Sequence, residues 1–179
     1  MQRTLKIAAA TLILAATFSA CTVKDDLTNT QGTSSFEVKL TDNPAAFNKV
    51  NIDIRAVMVN LTDDASNGWI SLNTNAGVYD LLTLQNGKDT LLAKGTLPSQ
   101  TVKQIRFTLG TNNTVEVNNI VYPLTLPVFG ASSGLQISLS KDLRLATETV
   151  VIDFDANASV QLEADGSYSL RPVLSVKVK

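Results

Sequence analysis

The sequence predicts an all-β protein, a two-sheet antiparallel β-sandwich, with a closed β-barrel as the alternative. Two observations carry this prediction. From Phe36 onward, apolar residues recur at every second position, which is the period of a strand that buries one of its faces. Short turn signals separate these runs at the spacing typical of sandwich folds. No internal repeat or linker interrupts the pattern, so residues 36–179 are expected to form one domain.

The alternating runs follow one another along this whole domain. The phase of the second run changes near Ala56, which predicts a β-bulge because one extra residue turns the following side chains to the other face. Residues 81–97 are rich in leucine and fit either a strand pair or one short helix. The apolar members of the runs are Phe36, Val38 and Leu40; Val50, Ile52 and Ile54; Val57, Val59 and Leu61; Ile105, Phe107 and Leu109; Leu135, Ile137 and Leu139; Val150, Ile152 and Phe154; and Leu170, Leu174, Val176 and Val178.

Turn-forming residues mark the ends of the predicted strands. Asn118-Asn119 lies between two short apolar runs and predicts a two-residue hairpin turn with positive φ. Asp165-Gly166 predicts a second hairpin in the same way. Pro123 and Pro172 lack the backbone N–H that a strand ladder uses, so their strands are expected at a sheet edge or to begin at the proline.

The N-terminal segment predicts export. Arg3 and Lys6 precede an uncharged apolar run, Ile7 to Phe18, which is shorter than the roughly 20 residues that a membrane-spanning helix needs. Small residues end this run just before Cys21, the only cysteine of the chain. This is the layout of a secretory signal peptide, so residues 1–20 are expected to be removed.

The residues around Cys21 predict a lipid anchor. The segment Phe18-Ser19-Ala20-Cys21 resembles the lipobox of bacterial lipoproteins, which implies a lipid-modified Cys21 held in a membrane by its acyl chains. Residues 22–35 are polar and without hydrophobic period, as expected of a flexible tether. Lys24, Asp25 and Asp26 resemble the surface-export signal of Bacteroidetes lipoproteins, a lysine followed by two acids. We therefore expect a lipid-anchored protein of the outer membrane that faces the cell surface.

The composition excludes several classes of function. The chain has no histidine and its one cysteine is expected to carry the lipid, so Ser-His-Asp catalysis and zinc sites with nitrogen or sulfur ligands lack their residues. Loss of residues 1–20 removes two of the 15 basic residues and none of the 16 acidic ones, and this mild acidity argues against a nucleic-acid partner. No cofactor is expected, and what remains is carboxylate chemistry, lysine chemistry or an oxygen-ligated calcium site.

Two aspartates near the C-terminus are candidate site residues. Asp153 and Asp155 are two positions apart in a predicted strand and should therefore point to the same face. Paired carboxylates can serve as acid and base in glycoside cleavage. The more ordinary interpretation is an exposed or edge pair whose charges are answered by Arg106 or Arg171.

Asp42, just after the first predicted strand, is a third candidate. Its side chain can accept backbone N–H groups two residues on and so stabilise the turn at Asn43-Pro44. A calcium site shared by Asp42, Asp153 and Asp155 is the alternative, because calcium takes oxygen ligands from separate segments.

Trp69 is the only tryptophan. In a sandwich of this size a single tryptophan is ordinarily a core anchor. The functional alternative is an exposed ring on which a sugar stacks. Tyr79, Tyr122 and Phe129 are further aromatic residues that would suit this role.

Seven short strings along the domain form a recognisable set. They are residues 38–45 (VKLTDNPA), Tyr79-Asp80-Leu81-Leu82, Leu97-Pro98, residues 104–110 (QIRFTLG), Val121-Tyr122-Pro123-Leu124, residues 151–156 (VIDFDA) and Leu170-Arg171-Pro172-Val173. Together they resemble the family called domain of unknown function 4382, found in Bacteroidetes lipoproteins. The resemblance implies a prealbumin-like or carbohydrate-binding-like sandwich and no established activity. Residues 99–102 depart from the family pattern, which prefers a glycine and an aromatic residue after the proline.

Three functions are compatible with these features. The leading hypothesis is a non-catalytic surface lipoprotein that binds a glycan or an envelope protein, because an anchor and a tether carry an all-β domain without catalytic residues. The second is a structural, fimbrial-like envelope subunit assembled by strand exchange. The third is a carboxylate-dependent glycan hydrolase centred on Asp153 and Asp155.

Overall fold

The computed structural model describes residues 32–126, 134–144 and 146–177. Within them the chain is mostly extended and forms two sheets that share one hydrophobic core, and these sheets do not close into a barrel. The predicted all-β sandwich is therefore confirmed, and the barrel alternative is wrong.

Short connections separate most of the strands. In chain order the elements are β1 (Thr33–Thr41), β2 (Lys49–Asn60), β3 (Trp69–Ser71), β4 (Asn73–Thr74), β5 (Gly77–Asp80), a 3-10 helix (Leu81–Leu84), β6 (Thr90–Pro98), β7 (Thr101–Leu109), β8 (Thr114–Val117), β9 (Ile120–Thr125), β10 (Leu135–Asp142), β11 (Thr147–Phe154), α1 (Ala156–Ser159), β12 (Val160–Leu162), β13 (Tyr168–Leu170) and β14 (Leu174–Lys177).

Both sheets are mixed, whereas the sequence led us to expect antiparallel ones. The smaller sheet has five described strands in the order β14-β11-β1-β6-β4, and β1 runs parallel to β11. The larger sheet has nine described strands, among which β9 and β13 are parallel. A parallel pair needs a long crossover, and the chain between β1 and β11 supplies it by forming most of the larger sheet. Alternation alone does not distinguish the two directions of pairing.

The core lies between the sheets, and β1 illustrates how the sequence fills it. Phe36, Val38 and Leu40 are fully buried, while Glu37 and Lys39 between them point to the partly exposed face. Full burial of such apolar side chains contributes about 1.5–3 kcal/mol each. The period of two in the sequence therefore arises because one face of the strand is buried in the core.

The predicted bulge in β2 is confirmed. The pairing of β2 with β7 shifts register between Ile54 and Ala56, which leaves Arg55 as the extra residue. Val57 and Val59 consequently point into the core, as Ile54 does before the bulge.

The two predicted hairpins are also present. Asn118 and Asn119 have φ of 51° and 63° and join β8 to β9 in a two-residue turn. Gly166, with φ of 83°, lies in the longer connection of residues 163–167 between β12 and β13. The ambiguous residues 81–97 contain both a helical turn and a strand, the 3-10 helix followed by β6.

The two prolines are accommodated differently. Pro123 lies inside β9, opposite Thr114 on β8, and β13 pairs with β9 only from Leu124 onward. The expectation that Pro123 begins its strand or lies at a sheet edge is therefore wrong. Pro123 lacks a backbone N–H, and the second neighbouring strand, β13, begins to pair with β9 only after this residue. Pro172 lies outside the strands, in the connection to the edge strand β14.

The domain begins earlier than expected. β1 starts at Thr33, and the backbone N–H of Ser35 donates to the carbonyl of Ala146 at 2.8 Å. Residues 33–35 therefore belong to the sheet and not to the tether. The predicted signal peptide, Cys21 and the residues Lys24, Asp25 and Asp26 lie outside the described residues. No helix within the described ranges is long and apolar enough to cross a membrane.

Candidate functional site

The parallel pairing of β1 and β11 brings two of the candidate carboxylates together. Parallel neighbours end on the same side of a sheet, and the register places Thr41 of β1 opposite Asp153 of β11. Asp42 is the next residue after β1, so its carboxyl group lies close enough to Asp153 to interact with it electrostatically. Both aspartates are almost fully buried, with 2 % and 3 % of their surfaces exposed.

Asp42 connects distant parts of the chain. Its Oδ1 accepts a hydrogen bond from the backbone N–H of Ala156 at 2.9 Å, and its Oδ2 accepts one from Nε2 of Gln85 at 3.2 Å. The expected contact with backbone N–H groups two residues on is wrong, because position 44 is a proline and the carboxylate turns inward to α1. Burial raises the pKa of Asp42 above its ordinary value, the hydrogen bonds from Ala156 and Gln85 oppose that shift, and the charge of Asp153 reinforces it.

Asp153 forms a compact group with two other side chains, which we call the Asp153 cluster: Asn43, Asp153 and Lys177. Asp153 Oδ2 accepts a hydrogen bond from Asn43 Nδ2 at 2.7 Å and lies 3.3 Å from Lys177 Nζ. Lys177 Nζ also donates to Asn43 Oδ1 at 2.9 Å. Asp153 Oδ1 is buried and has no hydrogen-bond partner among the described residues.

Asp155 has a separate role. β11 ends at Phe154, and Asp155 caps the short helix α1 by accepting the N–H of Ala158 at 2.8 Å. Asp153 and Asp155 therefore do not form the predicted same-face pair. The predicted arginine partners are also wrong, since Arg171 pairs with Glu163 at 2.9 Å and Arg106 lies over Trp69.

The three aspartates do not assemble into a metal site. No group of three potential ligands of this kind occurs among the residues that the structure describes. The carboxylate oxygens of Asp42 already accept N–H groups, and Asp155 is engaged in its cap. A calcium ion would have to displace these donors, so the arrangement argues for a structural role of Asp42 and Asp155.

Trp69 lies on the outer face of the larger sheet and not in the core, so the core-anchor expectation is wrong. It is opposite Asn60, on the face that turns away from the buried residues Val59 and Ile105. The guanidinium carbon of Arg106 is 3.8 Å from the centre of the indole ring, a cation–π contact. The indole Nε1 donates to the carbonyl of Ala65 at 3.0 Å.

Polar side chains surround this tryptophan, and we call the group the Trp69 face: Trp69, Asn60, Gln104, Arg106 and Gln136. The strand register places all of them on the same side of the sheet. Gln136 Nε2 donates to Gln104 Oε1 at 2.6 Å, and Arg106 Nη2 lies 3.5 Å from Gln136 Oε1. The result is a partly exposed aromatic ring with a cation and side-chain amides beside it.

The loop between β2 and β3 borders the Trp69 face. The side chain of Asn60 donates to the carbonyls of Asp64 and Asn67 at 2.6 and 2.7 Å. Arg106 Nη2 donates to the carbonyl of Ala65 at 3.1 Å. These contacts fix the loop against the sheet and hold Trp69 in one orientation.

The other predicted aromatic residues do not join this face. Tyr79 donates from its hydroxyl group to the carbonyl of Asn75, and Tyr122 packs against Tyr168 with ring centres 5.0 Å apart. Phe129 lies outside the described residues.

A second buried carboxylate, Asp53, was not a candidate in the sequence. It is fully buried beside the β2 bulge, where its Oδ2 accepts from Arg55 Nη2 at 2.7 Å and from the backbone N–H of Asn112 at 3.2 Å. Its backbone also bonds Gly110 and Asn113, at 2.7 and 2.9 Å. In the sequence Asp53 is an acidic residue within the apolar run of β2, and the alternation of that run assigned it to the outer face.

A cavity of about 320 Å³ opens between the edges of the two sheets. It lies between β10, the outermost strand of the larger sheet, and the β11–β14 edge of the smaller one. Its walls combine apolar and cationic side chains, namely Leu139, Lys141, Val150, Val176 and Lys177. The sandwich is thus open on this side within the described residues.

Comparison with known proteins places the chain in a family but does not assign it a function. No curated protein and no solved structure matches the sequence, so the expected prealbumin-like or carbohydrate-binding-like subtype stays a prediction. Residues 33–172 match the family described as domain of unknown function (DUF4382). This span includes nearly all the strands described above, and the chain therefore belongs to the DUF4382 family.

Proposed function

We propose that this protein is a non-catalytic, lipid-anchored binding module of the bacterial outer membrane that faces the cell surface and binds a glycan or an envelope protein. The anchor part rests on the basic and apolar N-terminal segment, on Cys21 after small residues, and on the polar tether. The Lys24-Asp25-Asp26 sequence supports surface display of the kind known for Bacteroidetes lipoproteins.

The Trp69 face is the single observation that carries the binding part. An aromatic ring placed outside the core adds nothing to the shared core cluster, yet it is held rigidly by Ala65 and Arg106. Arg106 covers one face of the indole, so a sugar ring would stack on the other face, and neighbouring guanidinium and amide groups would supply the hydrogen bonds that orient it. Arg106 and Gln136 are such groups, whereas Gln104 is buried and holds Gln136 in place.

The placement of the carboxylates favours binding over catalysis. A general acid or base must reach the proton that it transfers. Asp42 and Asp153 are buried and their oxygens hold Ala156, Gln85, Asn43 or Lys177, while Asp155 caps α1. Asp153 and Asp155, on which the hydrolase hypothesis is centred, are therefore engaged within the fold and do not face each other as an acid–base pair.

The binding proposal is tested with the purified chain on glycan arrays and against fractionated envelope proteins. A ligand found for the wild type should be lost with Trp69→Ala and weakened with Gln136→Ala. Arg144→Ala is the matched control, because Arg144 is an exposed cation at the far end of β10 that pairs with Asp142. Binding that persists in Trp69→Ala would remove the Trp69 face from the proposal.

The anchor is tested separately in cells. We expect the wild type to incorporate labelled fatty acid and to partition into detergent, and Cys21→Ser to do neither. Replacement of Lys24, Asp25 and Asp26 by alanine should retain the lipid but protect the domain from protease added to intact cells. Equal protease sensitivity of the two proteins would contradict the assignment of the export signal.

The structural-subunit hypothesis keeps one supporting observation. β10 is eight residues long and pairs with a described strand, β7, on only one of its edges, and an open edge can accept a further strand. Cross-linking on intact cells distinguishes this hypothesis, because a subunit should give ladders of the chain and a binding module should not.

A further inference from the structure

The Asp153 cluster has a geometry that an ion pair alone does not require. Its three side chains contact one another in a closed triangle, with Lys177 Nζ 2.9 Å from Asn43 Oδ1, Asn43 Nδ2 2.7 Å from Asp153 Oδ2, and Lys177 Nζ 3.3 Å from the same Oδ2. The amine is thus held against a carboxamide, and one carboxylate contacts both nitrogen atoms. The orientation of the amide follows from the chemistry, since lysine only donates and a carboxylate only accepts.

We propose that Lys177 and Asn43 join in an intramolecular isopeptide bond and that Asp153 is the catalytic residue. Nζ of Lys177 attacks Cγ of Asn43, so the Nζ–Cγ bond forms and the Cγ–Nδ2 bond breaks. Nζ passes from an ammonium group to an amide N–H and loses two protons. Asp153 carries one of them to Nδ2, which leaves as ammonia, and retains the other. No oxidant, reductant or further reactant takes part.

Proximity supplies most of what this reaction needs. Lysine is an effective nucleophile once a neighbouring group has taken its proton, and side chains fixed in contact react as if at very high local concentration. Asn43 is held at the end of β1, Asp153 within β11 and Lys177 at the end of β14, three neighbouring segments of the smaller sheet. The reacting groups are therefore positioned by the sheet itself.

The burial of Asp153 favours the product. Only 3 % of the Asp153 side chain is exposed, and its charge is compensated by Lys177, whose own side chain is 42 % exposed. The reaction converts this ion pair into a neutral amide and a neutral carboxyl group. The buried charge disappears, and the amide N–H can still donate to Asp153.

The bond would close a covalent ring around nearly the whole domain. Residue 43 follows the first strand and residue 177 ends the last described one. A cross-link between positions so far apart in the chain restricts the unfolded state strongly. This suits a domain that has no disulfide, since Cys21 is the only cysteine.

Peptide mass spectrometry of the full chain tests the bond directly. After trypsin digestion we expect residues 40–49 to be linked to the peptide that contains Lys177, with a mass lower than the sum of the two by one ammonia. Cleavage after Lys177 should be lost at the same time. Recovery of both peptides unlinked overturns the proposal. A loss of one water within the peptide that starts at residue 145 instead joins Lys177 to Asp153, since trypsin does not cleave between Arg171 and Pro172, and a cross-link to residues 40–49 that is lighter by one water joins Lys177 to Asp42. Either result overturns the assignment to Asn43.

Variants separate the roles of the three residues. Lys177→Arg and Asn43→Ala should abolish the linked peptide, whereas Lys39→Arg, which alters the Lys39–Asp89 ion pair of the same sheet at 3.1 Å, should retain it. Asp153→Asn should slow linkage by about 100-fold or more after refolding, the usual effect of losing a general acid–base group. Linkage at the wild-type rate would overturn the catalytic role of Asp153. If a variant does not fold, the presence or absence of the linked peptide in the wild type alone decides whether the bond forms.

Discussion

Asp42 Oδ1 accepts a hydrogen bond of 2.9 Å from the backbone N–H of Ala156, a residue 114 positions further along the chain. This bond joins the end of β1 to the first turn of α1 and fixes how the two parallel strands of the smaller sheet end. Gln85, next to the 3-10 helix, donates to the other oxygen of the same carboxylate at 3.2 Å. One buried side chain thus connects three segments that are distant in sequence.

Replacement of Asp42 should destabilise the domain according to what the new side chain can accept. Asp42→Ala leaves the N–H of Ala156 without its acceptor, at a cost of about 1–3 kcal/mol for a buried group, whereas Nε2 of Gln85 keeps the carbonyl of Asn43 at 3.1 Å. Asp42→Asn keeps one acceptor oxygen and should cost less. Urea denaturation measures both, with Asp63→Ala as the control, because Asp63 is 87 % exposed. A control as damaging as Asp42→Ala would contradict this explanation.

The raised pKa of Asp42 should make part of the stability depend on pH. A carboxyl group whose pKa is higher in the folded state than its ordinary 3.8 binds more protons when folded, so its contribution to the free energy of unfolding falls as the pH rises through the window above 3.8. Asp42→Asn lacks this contribution. We therefore expect the stability of the wild type relative to Asp42→Asn to decrease from pH 4 upward, as followed by denaturation at several pH values. A constant difference would exclude Asp42 as the titrating group.

The exposed carboxylates act in the opposite direction, which is why the comparison with Asp42→Asn is needed. Hydrogen bonds from Ser66, Thr101 and Ser169, respectively, lower the pKa of Asp64, Asp142 and Glu163. Groups with a lowered pKa stabilise the fold above that pKa and lose this effect as the pH falls. These contributions are the same in both proteins and cancel in the difference.

Gly110 should tolerate no side chain. A Cβ at this position would overlap Oδ2 of the buried Asp53 and would lie 2.6 Å from Arg55 Nε. Gly110→Ala is therefore expected to destabilise the domain by about 1–3 kcal/mol, the usual cost of overpacking. Gly77→Ala in β5 is the matched control, since a Cβ there meets nothing within 4 Å. Thermal denaturation of the two variants should separate them clearly, and equal melting temperatures would contradict the predicted clash.

The hairpin between β8 and β9 should depend on residues that accept positive φ. Asn119 has φ of 63°, where a β-branched side chain costs about 1–2 kcal/mol and glycine costs nothing sterically. Asn119→Val should therefore lower the free energy of unfolding, and Asn119→Gly should leave it unchanged or raise it. Guanidinium denaturation should give free energies of unfolding that decrease in the order glycine, asparagine, valine at position 119. Any other order would show that the turn changes conformation in the variants.

Local patterns predicted the strands because their cause is local. The alternation of Phe36, Val38 and Leu40 reflects one buried face, and the positive φ of Asn118 and Asn119 reflects turn geometry within four residues. The phase change near Ala56 predicted a bulge for the same reason. These features depend on neighbours in the chain and are readable from it.

The sites were less predictable because their partners come from distant segments. Alternation assigned Asp153 and Asp155 to one exposed face. However, the last residues of β11 are buried on both faces of the strand, and Asp155 lies beyond the strand, where it caps the helix α1. Trp69 was expected in the core and lies outside it, because the register of β3 sets it opposite Asn60 and leaves Ile70, opposite Val59, to face the core. Composition alone does not reveal either outcome.

The sequence by itself predicted an export and lipid-attachment segment, and it determined one all-β domain whose strands and turns follow from side-chain period and turn chemistry. Only the tertiary structure decided that β1 and β11 are parallel. That pairing places Asn43, Asp153 and Lys177 in contact and lets Asp42 reach Ala156. Strand direction is set by which core faces fit together across the whole domain, and the order of residues along one strand holds no record of it.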